Sequence, residues 1–316
     1  MKIVIAGGSG HVGASLLRHF SGQGHDLVVL SRAAASAQNG IRTVVWDAKN
    51  LGDWAKEIDG ADVVINLAGR SVNCRYNATN LKVMMDSRVD STRVVGLAIQ
   101  KANMPPKLWL QSSTATIYAH RFDAPNDEIT GILGIDEPGA PPKWNASIAI
   151  AKAWEAALYE FETPKTRKIA MRSAMTMSPE TGSIFDVFST LARRGLGGKQ
   201  ASGKQYVSWI HERDFCRAID FLIEREDLEG SINLSSPEPL PQQEFSRILR
   251  ETLGVKFGLP ATKWMLEIGT ALMKTETELV LKSRRVIPTR LLEAGFKFDF
   301  LGWKEACADL ASLQKK

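Results

Sequence analysis

Lys2-Ile3-Val4-Ile5-Ala6-Gly7-Gly8-Ser9-Gly10-His11-Val12-Gly13 decides the fold. A short apolar run, 2–6, reads as a first buried β-strand. It breaks into a glycine turn that opens a helix over 12–22, with apolar residues at Val12, Leu16, Leu17 and Phe20. Gly7, Gly10 and Gly13 form a GxxGxxG fingerprint in the setting a dinucleotide site requires, after a strand and before a helix. Gly7 permits the tight turn, Gly10 the close approach of a diphosphate, and Gly13 close helix packing. Ser9, His11 and Val12 lie in the same turn, where the first amides of the helix are free to donate to phosphate oxygens.

Outward from this turn, apolar runs alternate with helical patterns. Strands are expected at 26–30, 42–47, 62–67, 107–112 and 168–172, and helices at 77–102 and 146–161. Pro105-Pro106 stops the long helix. Such βαβ units give a doubly wound parallel sheet, a Rossmann α/β fold. Farther on, 183–194 reads as helix, 195–204 as loop, and 207–211, 231–234 and 296–300 as strands. The expected division is a dinucleotide-binding domain over 1–235, with substrate-loop excursions at 120–145 and 175–206, and a small, mainly helical substrate domain over 236–316.

The second strand ends in Leu30-Ser31-Arg32. An acid there would hold the ribose 2′-hydroxyl of NAD; an arginine suits the 2′-phosphate of NADP. Arg32 therefore points to NADP(H) over NAD(H), against the alternative of a plain surface arginine. Asp47 ends the third strand, either to accept from the adenine amino group or to hold a turn before Ala48-Lys49-Asn50. Leu67, Ala68 and Gly69 close the fourth strand with backbone able to lie along the cofactor.

GGSGHVG at 7–13, NLAG at 66–69 and SSTATIYA at 112–119 resemble the extended short-chain dehydrogenase/reductase superfamily. SRVDSTRVV at 87–95, WEAAL at 154–158, SWIHERD at 208–214 and RRVIPTRLLEAGF at 284–296 are similar to its atypical epimerase-like subgroup, which carries a small C-terminal domain of unknown function. The resemblance spans nearly the whole chain. It implies a hydroxyl that positions the substrate oxygen, at Thr114, and a lysine that holds the nicotinamide ribose, at Lys152; the alternatives are a Thr114 that caps its turn and a Lys152 that faces solvent on an amphipathic helix. It also implies a tyrosine one helical turn before the lysine, where this chain has Ile148. Isoleucine has no proton to exchange. A position often held by asparagine in the long helix is Arg88.

With the usual proton donor missing, Tyr118 stands just past Thr114 as an acid/base, or else as a pocket wall or half-buried core tyrosine, and His211 as an acid/base or as a helix-entry residue bonded to backbone or to Asp214. The resulting expectation is an NADP(H)-binding oxidoreductase-like or epimerase-like protein acting on a small carbonyl or hydroxyl compound. The alternative is a non-catalytic dinucleotide sensor or scaffold.

The segment 120–145 is rich in proline and acid (Asp123, Pro125, Asp127, Glu128, Asp136, Glu137, Pro138), and 175–206 carries Arg193, Arg194, Lys199 and Lys204. The first reads as a binding loop or a solvated excursion. The second reads as a contact for an anionic substrate group or a solvated face. Trp144, Trp209, Trp264 and Trp303 read as packing residues.

Composition narrows the partners. Net charge is +5 over 316 residues, with no dense basic stripe, so a nucleic-acid partner is not expected. No apolar run reaches membrane-span length, and the short apolar start reads as a strand, so a cytoplasmic location is expected. Cys74, Cys216 and Cys307 are too few and too scattered for a disulfide framework or a metal site. By analogy with extended family members, 77–102 and 146–161 are the segments for a homodimer.

Overall fold

A computed structural model describes residues 1–34, 40–136 and 140–314. Glu137 and Pro138 lie outside the described residues. The strands are β1 (Lys2–Ala6), β2 (Asp26–Ser31), β3 (Ile41–Val45), β4 (Val63–Asn66), β5 (Leu108–Thr114), β6 (Arg167–Ser173), β7 (Met175–Met177), β8 (Tyr206–Val207), β9 (Trp209–His211), β10 (Gly230–Leu234) and β11 (Leu240–Pro241). The helices are α1 (His11–Phe20), α2 (Ala78–Lys101), α3 (Trp144–Tyr159), α4 (Ile184–Arg193), α5 (Glu212–Glu224), α6 (Gln242–Thr252), α7 (Lys263–Leu272), α8 (Glu278–Leu281), α9 (Thr289–Glu293) and α10 (Trp303–Leu313).

Seven strands form one sheet in the order β3-β2-β1-β4-β5-β6-β10, every pair parallel. The continuous apolar runs are explained by burial on both faces. Ile3 and Ile5 point to one face, into a core with Leu16 and Phe20 of α1 and Ile219 of α5. Val4 and Ala6 point to the other, into a core with Val94, Val95 and Ile99 of α2. Because all seven strands run the same way, their carboxyl ends, and the loops that leave them, share one edge.

A third core joins Met177, Phe185 and Trp209 to Phe245, Trp303 and Leu310. The smaller layer is therefore built from two stretches of chain, the one that follows β6 and the C-terminal helices. Trp303 stacks on Phe245 with ring centroids 4.2 Å apart. Trp144, Trp209 and Trp303 are buried, but Trp264 on α7 is 63% exposed, so it is not a packing residue here.

Two local expectations change. The stretch 207–211 is split at Ser208, whose hydroxyl turns aside to the Arg284 carbonyl (2.7 Å) and accepts from the Val286 amide (2.8 Å). The expected strand at 296–300 is absent. The amides of Asp299 and Phe300 donate to the buried Asp214 carboxylate at 2.7 and 2.9 Å, so a side chain takes the donors that a neighbouring strand would need. Among the described residues no helix is long and apolar enough to cross a membrane.

Candidate cofactor and substrate site

The glycine turn is built as its sequence requires. Gly7 has φ +76°, and a Cβ there would stand 2.8 Å from the Ala68 backbone. Its amide donates to the Leu30 carbonyl at 3.0 Å, tying the turn to the end of β2. A Cβ on Gly13 would lie 2.4 Å from the Gly8 carbonyl oxygen, so this glycine seats the helix on the turn itself. Gly10 is different. A Cβ there would meet one protein atom within 4 Å, the Gly7 oxygen at 3.9 Å, so the space it leaves is open. Gly10 is the N-cap of α1 and no side chain caps the helix, which leaves its first amides for an anion. Ser9, Gly10 and His11 are exposed at the tip, whereas Val12 is half-buried against the core. These features fit a dinucleotide diphosphate.

The neighbouring strand ends frame this turn. Ser31 accepts from the Ala33 amide at 3.3 Å, and Arg32 beside it is exposed. Asp47 accepts from the amides of Lys49 (2.9 Å) and Asn50 (2.8 Å) and from the Asn50 side chain (2.7 Å). These bonds, led by that from Asn50, hold its carboxyl below the usual range. Asp47 thus organises the turn with an exposed side chain whose two oxygens both accept from it. The amide of Leu67 donates to Ala6 at 2.8 Å, and that of Ala68 to the Asn66 side chain at 3.0 Å. Asn66 is fully buried and donates in turn to Gln111 at 3.0 Å. Sequence reading passed over this Asn66–Gln111 pair, which fixes the loop after β4.

Thr114 ends β5, two strands from β1 on the same edge. At about 4.8 Å per strand the separation is on the order of 10 Å. Its hydroxyl accepts from the Thr116 amide at 3.1 Å and keeps its own proton to donate. Thr114 lines a cavity of about 90 Å3 with Tyr76, Arg88, Ser147, Trp154 and Arg284. A larger depression of about 1080 Å3 lies at the opposite edge, around Asp62, Lys107 and Arg167 at the amino ends of β4, β5 and β6. Ligands in open α/β sheets bind at the carboxyl ends, so the small cavity is the relevant one.

Lys152 is half-buried on α3, one turn after Ile148, which is 2% exposed within the core. The structure does not bring Tyr118 to the cavity. It is 2% exposed, its hydroxyl donates to Asn233 and accepts from Arg172, both at 2.9 Å, and burial raises its pKa. Arg172 is paired in turn with Glu155 at 2.7 Å. Tyr118 is a strut of this buried network, which corrects the expectation of an acid/base role. His211 is likewise structural. Its Nδ1 accepts from the Arg213 amide at the start of α5, it stacks on Phe300 at 4.0 Å, and burial lowers its pKa to about 4. Arg193, Arg194, Lys199 and Lys204 are exposed, as a solvated face would be.

Sequence reading missed three cavity residues. Tyr76 is half-buried beside the start of α2, and burial, with the Glu278 charge, keeps its phenol protonated. Arg88 was noted only as a departure from the usual asparagine. Arg284 arrives from the C-terminal region, where Lys282 also donates to the Thr116 carbonyl at 2.9 Å. No spacing signal links Tyr76 to a residue two hundred positions away.

A seven-stranded parallel Rossmann sheet and a glycine turn ahead of an uncapped helix define a dinucleotide-binding fold. The chain belongs to the NAD dependent epimerase/dehydratase family, whose model matches residues 3–235. A domain of unknown function, DUF1731, matches 261–310. The epimerase family protein SDR39U1 of Homo sapiens is 26% identical over 303 residues, covering 95% of this chain and 96% of the relative. Epimerase family protein SAR0825 of Staphylococcus aureus is 29% identical over 313 residues, covering 98% and 99%. The crystal structure of human SDR39U1 (isoform 2) with NADPH matches with a TM-score of 0.83 at 26% identity, covering 99% of both chains.

Proposed function

We propose that this chain is an NADP(H)-dependent oxidoreductase for a small carbonyl or hydroxyl compound. The observation that carries the reading is the cavity walled by Thr114, on the same sheet edge as the open Gly7–Gly13 turn. The structure of human SDR39U1 with NADPH supports the choice of cofactor. Amides at the start of α1 would hold the diphosphate, Arg32 the 2′-phosphate, Asp47 the adenine edge and Lys152 the ribose next to the nicotinamide. Bound NADPH supplies the hydride. The Thr114 hydroxyl donates to the substrate oxygen and keeps donating as negative charge grows there. Tyr76, the tyrosine among the residues lining the cavity, gives that oxygen its proton.

A screen of small carbonyl compounds for NADPH oxidation tests this. Thr114→Val is expected to lower kcat/KM by about 10²–10³, and Tyr76→Phe by about 10² or more. Turnover that survives both substitutions overturns the assignment. A second reading, a sensor that binds the nucleotide without reaction, draws on the buried Ile148 where the family's tyrosine would stand. Tight NADPH binding with no turnover across the screen favours it.

A further inference from the structure

The cavity beside Thr114 carries more positive charge than a neutral carbonyl compound requires. Arg88 is 9% exposed and makes one hydrogen bond, from Nη1 to the Met84 carbonyl at 3.1 Å. Trp154 faces its guanidinium at 4.9 Å. Gly69 leaves room for it, because a Cβ there would stand 3.3 Å from both Cγ and Cζ of Arg88. No carboxylate among the described residues pairs with it. A guanidinium has five donors, and most of those on Arg88 meet no acceptor among the described residues and are not sealed from solvent, so they are open to the cavity that Arg88 lines. That arrangement is costly unless something else meets the charge.

Arg284 lines the same cavity from the C-terminal segment. Its Nε donates to Thr116 Oγ1 at 3.1 Å, and its Nη1 faces the carbonyls of Glu278, Leu279 and Lys282 at 3.3–3.5 Å. Nη2 donates to no described residue. Of the acids on this side, Glu278 keeps one buried carboxylate oxygen without a hydrogen-bond partner and its charge offsets part of that on Arg284, so the unmatched charge in the cavity is chiefly that of Arg88. Glu278, whose field also reaches Arg284, accepts from Ser147 and lies 3.9 Å from Lys282; Glu276 is held by Arg75 and Lys143.

We infer that the cavity takes an oxyanion on the carbonyl substrate, a carboxylate or a phosphate, between the guanidiniums of Arg88 and Arg284, with Thr114 at the carbonyl. The inference rests on the reading that places substrate beside Thr114. Planar guanidiniums suit either oxyanion through paired charge-assisted hydrogen bonds. Size narrows the class further. Pockets for drug-sized ligands run to about 300–1,000 Å3, and this one is about 90 Å3. A short oxoacid or small phosphorylated carbonyl compound fits; a whole nucleotide-linked sugar does not.

Calorimetric titration of the full chain saturated with NADP⁺ tests the inference, with acetoacetate, inorganic phosphate and neutral acetoacetamide as probes. Acetoacetate or phosphate is expected to bind at least tenfold more tightly than the amide, and the tighter of the two identifies the oxyanion. Arg88→Met and Arg284→Gln are each expected to weaken anion binding tenfold or more, with NADP⁺ affinity within about twofold of the parent. Replacing a buried charge by an apolar side chain is often neutral or stabilising, so Arg88→Met should melt no lower than the parent. If it does melt lower, Arg284→Gln decides. The amide binding as tightly as the acid, no binding of either anion, or anion binding unchanged in the deciding variant overturns the inference. Loss of NADP⁺ binding in the parent would instead overturn the cofactor reading beneath it.

Discussion

Gly10→Ala and Gly13→Ala separate a glycine kept for a ligand from one kept for packing. At Gly13 the added methyl would meet the Gly8 backbone at 2.4–2.6 Å. Overpacking of that kind costs about 3 kcal/mol, and the better helix propensity of alanine offsets about 1 kcal/mol. The net loss is about 2 kcal/mol. Unfolding entropy near 2.1 cal/mol/K per residue, over the full chain, makes 1 kcal/mol worth about 1.5 °C, so Gly13→Ala should melt about 3 °C lower. At Gly10, with φ −83° and ψ 171°, alanine is unstrained and the methyl points into open space. A weaker N-cap and a less flexible unfolded chain nearly cancel, and the melting point should move by less than about 1 °C. NADPH at a hundred times its Kd should stabilise the parent by about 2.7 kcal/mol, or about 4 °C. If the Gly10 methyl fills the diphosphate's place and weakens binding tenfold, the same concentration gives about 1.4 kcal/mol, or about 2 °C. Thermal melting with and without NADPH reads all of these quantities. A Gly10→Ala protein that gains as much from NADPH as the parent refutes the reasoning.

Other outcomes follow from the buried polar groups. Tyr118→Phe strands Asn233 Oδ1 and one Arg172 donor, which should cost about 1–3 kcal/mol, and melting with NADPH should show the ligand-induced rise unchanged. Burial lowers the pKa of both His211 and His120 from 6.5 to about 4. Their contribution to stability is therefore complete above pH 6.5. It declines as pH falls toward 4, because the unfolded chain then binds protons that the folded one refuses, each group costing about 1.4 kcal/mol per pH unit. His211→Asn retains an N-cap acceptor and should lower the slope of urea stability against pH by up to about 1.4 kcal/mol per pH unit between the two values; an unaltered slope would show that His211 is not held neutral.

The sheet and the dinucleotide turn were legible because they are local. Lys2–Ala6 and the glycines after it state their conformation within a dozen residues, and burial on both faces leaves the strands unbroken apolar runs. What was not legible depends on long-range placement. Tyr118 follows Thr114 closely, yet Asn233 and Arg172, from β10 and β6, draw its hydroxyl into the core. The alternation Phe296-Lys297-Phe298-Asp299-Phe300 imitates a strand, but Asp214 captures its amides. Arg284 reaches the cavity because Lys282 and Arg284 anchor the C-terminal segment on Thr116. Helix α8, the stretch around Glu276–Glu278 and the loop before α2 meet only in three dimensions.

Calorimetric titration of the purified chain with NADPH and with NADH bears most directly on the dinucleotide turn and its arginine. One NADPH per chain, bound at least tenfold more tightly than NADH, about 1.4 kcal/mol, and a preference lost in Arg32→Glu are the predicted results. No heat with either nucleotide, or tighter binding of NADH, would contradict them.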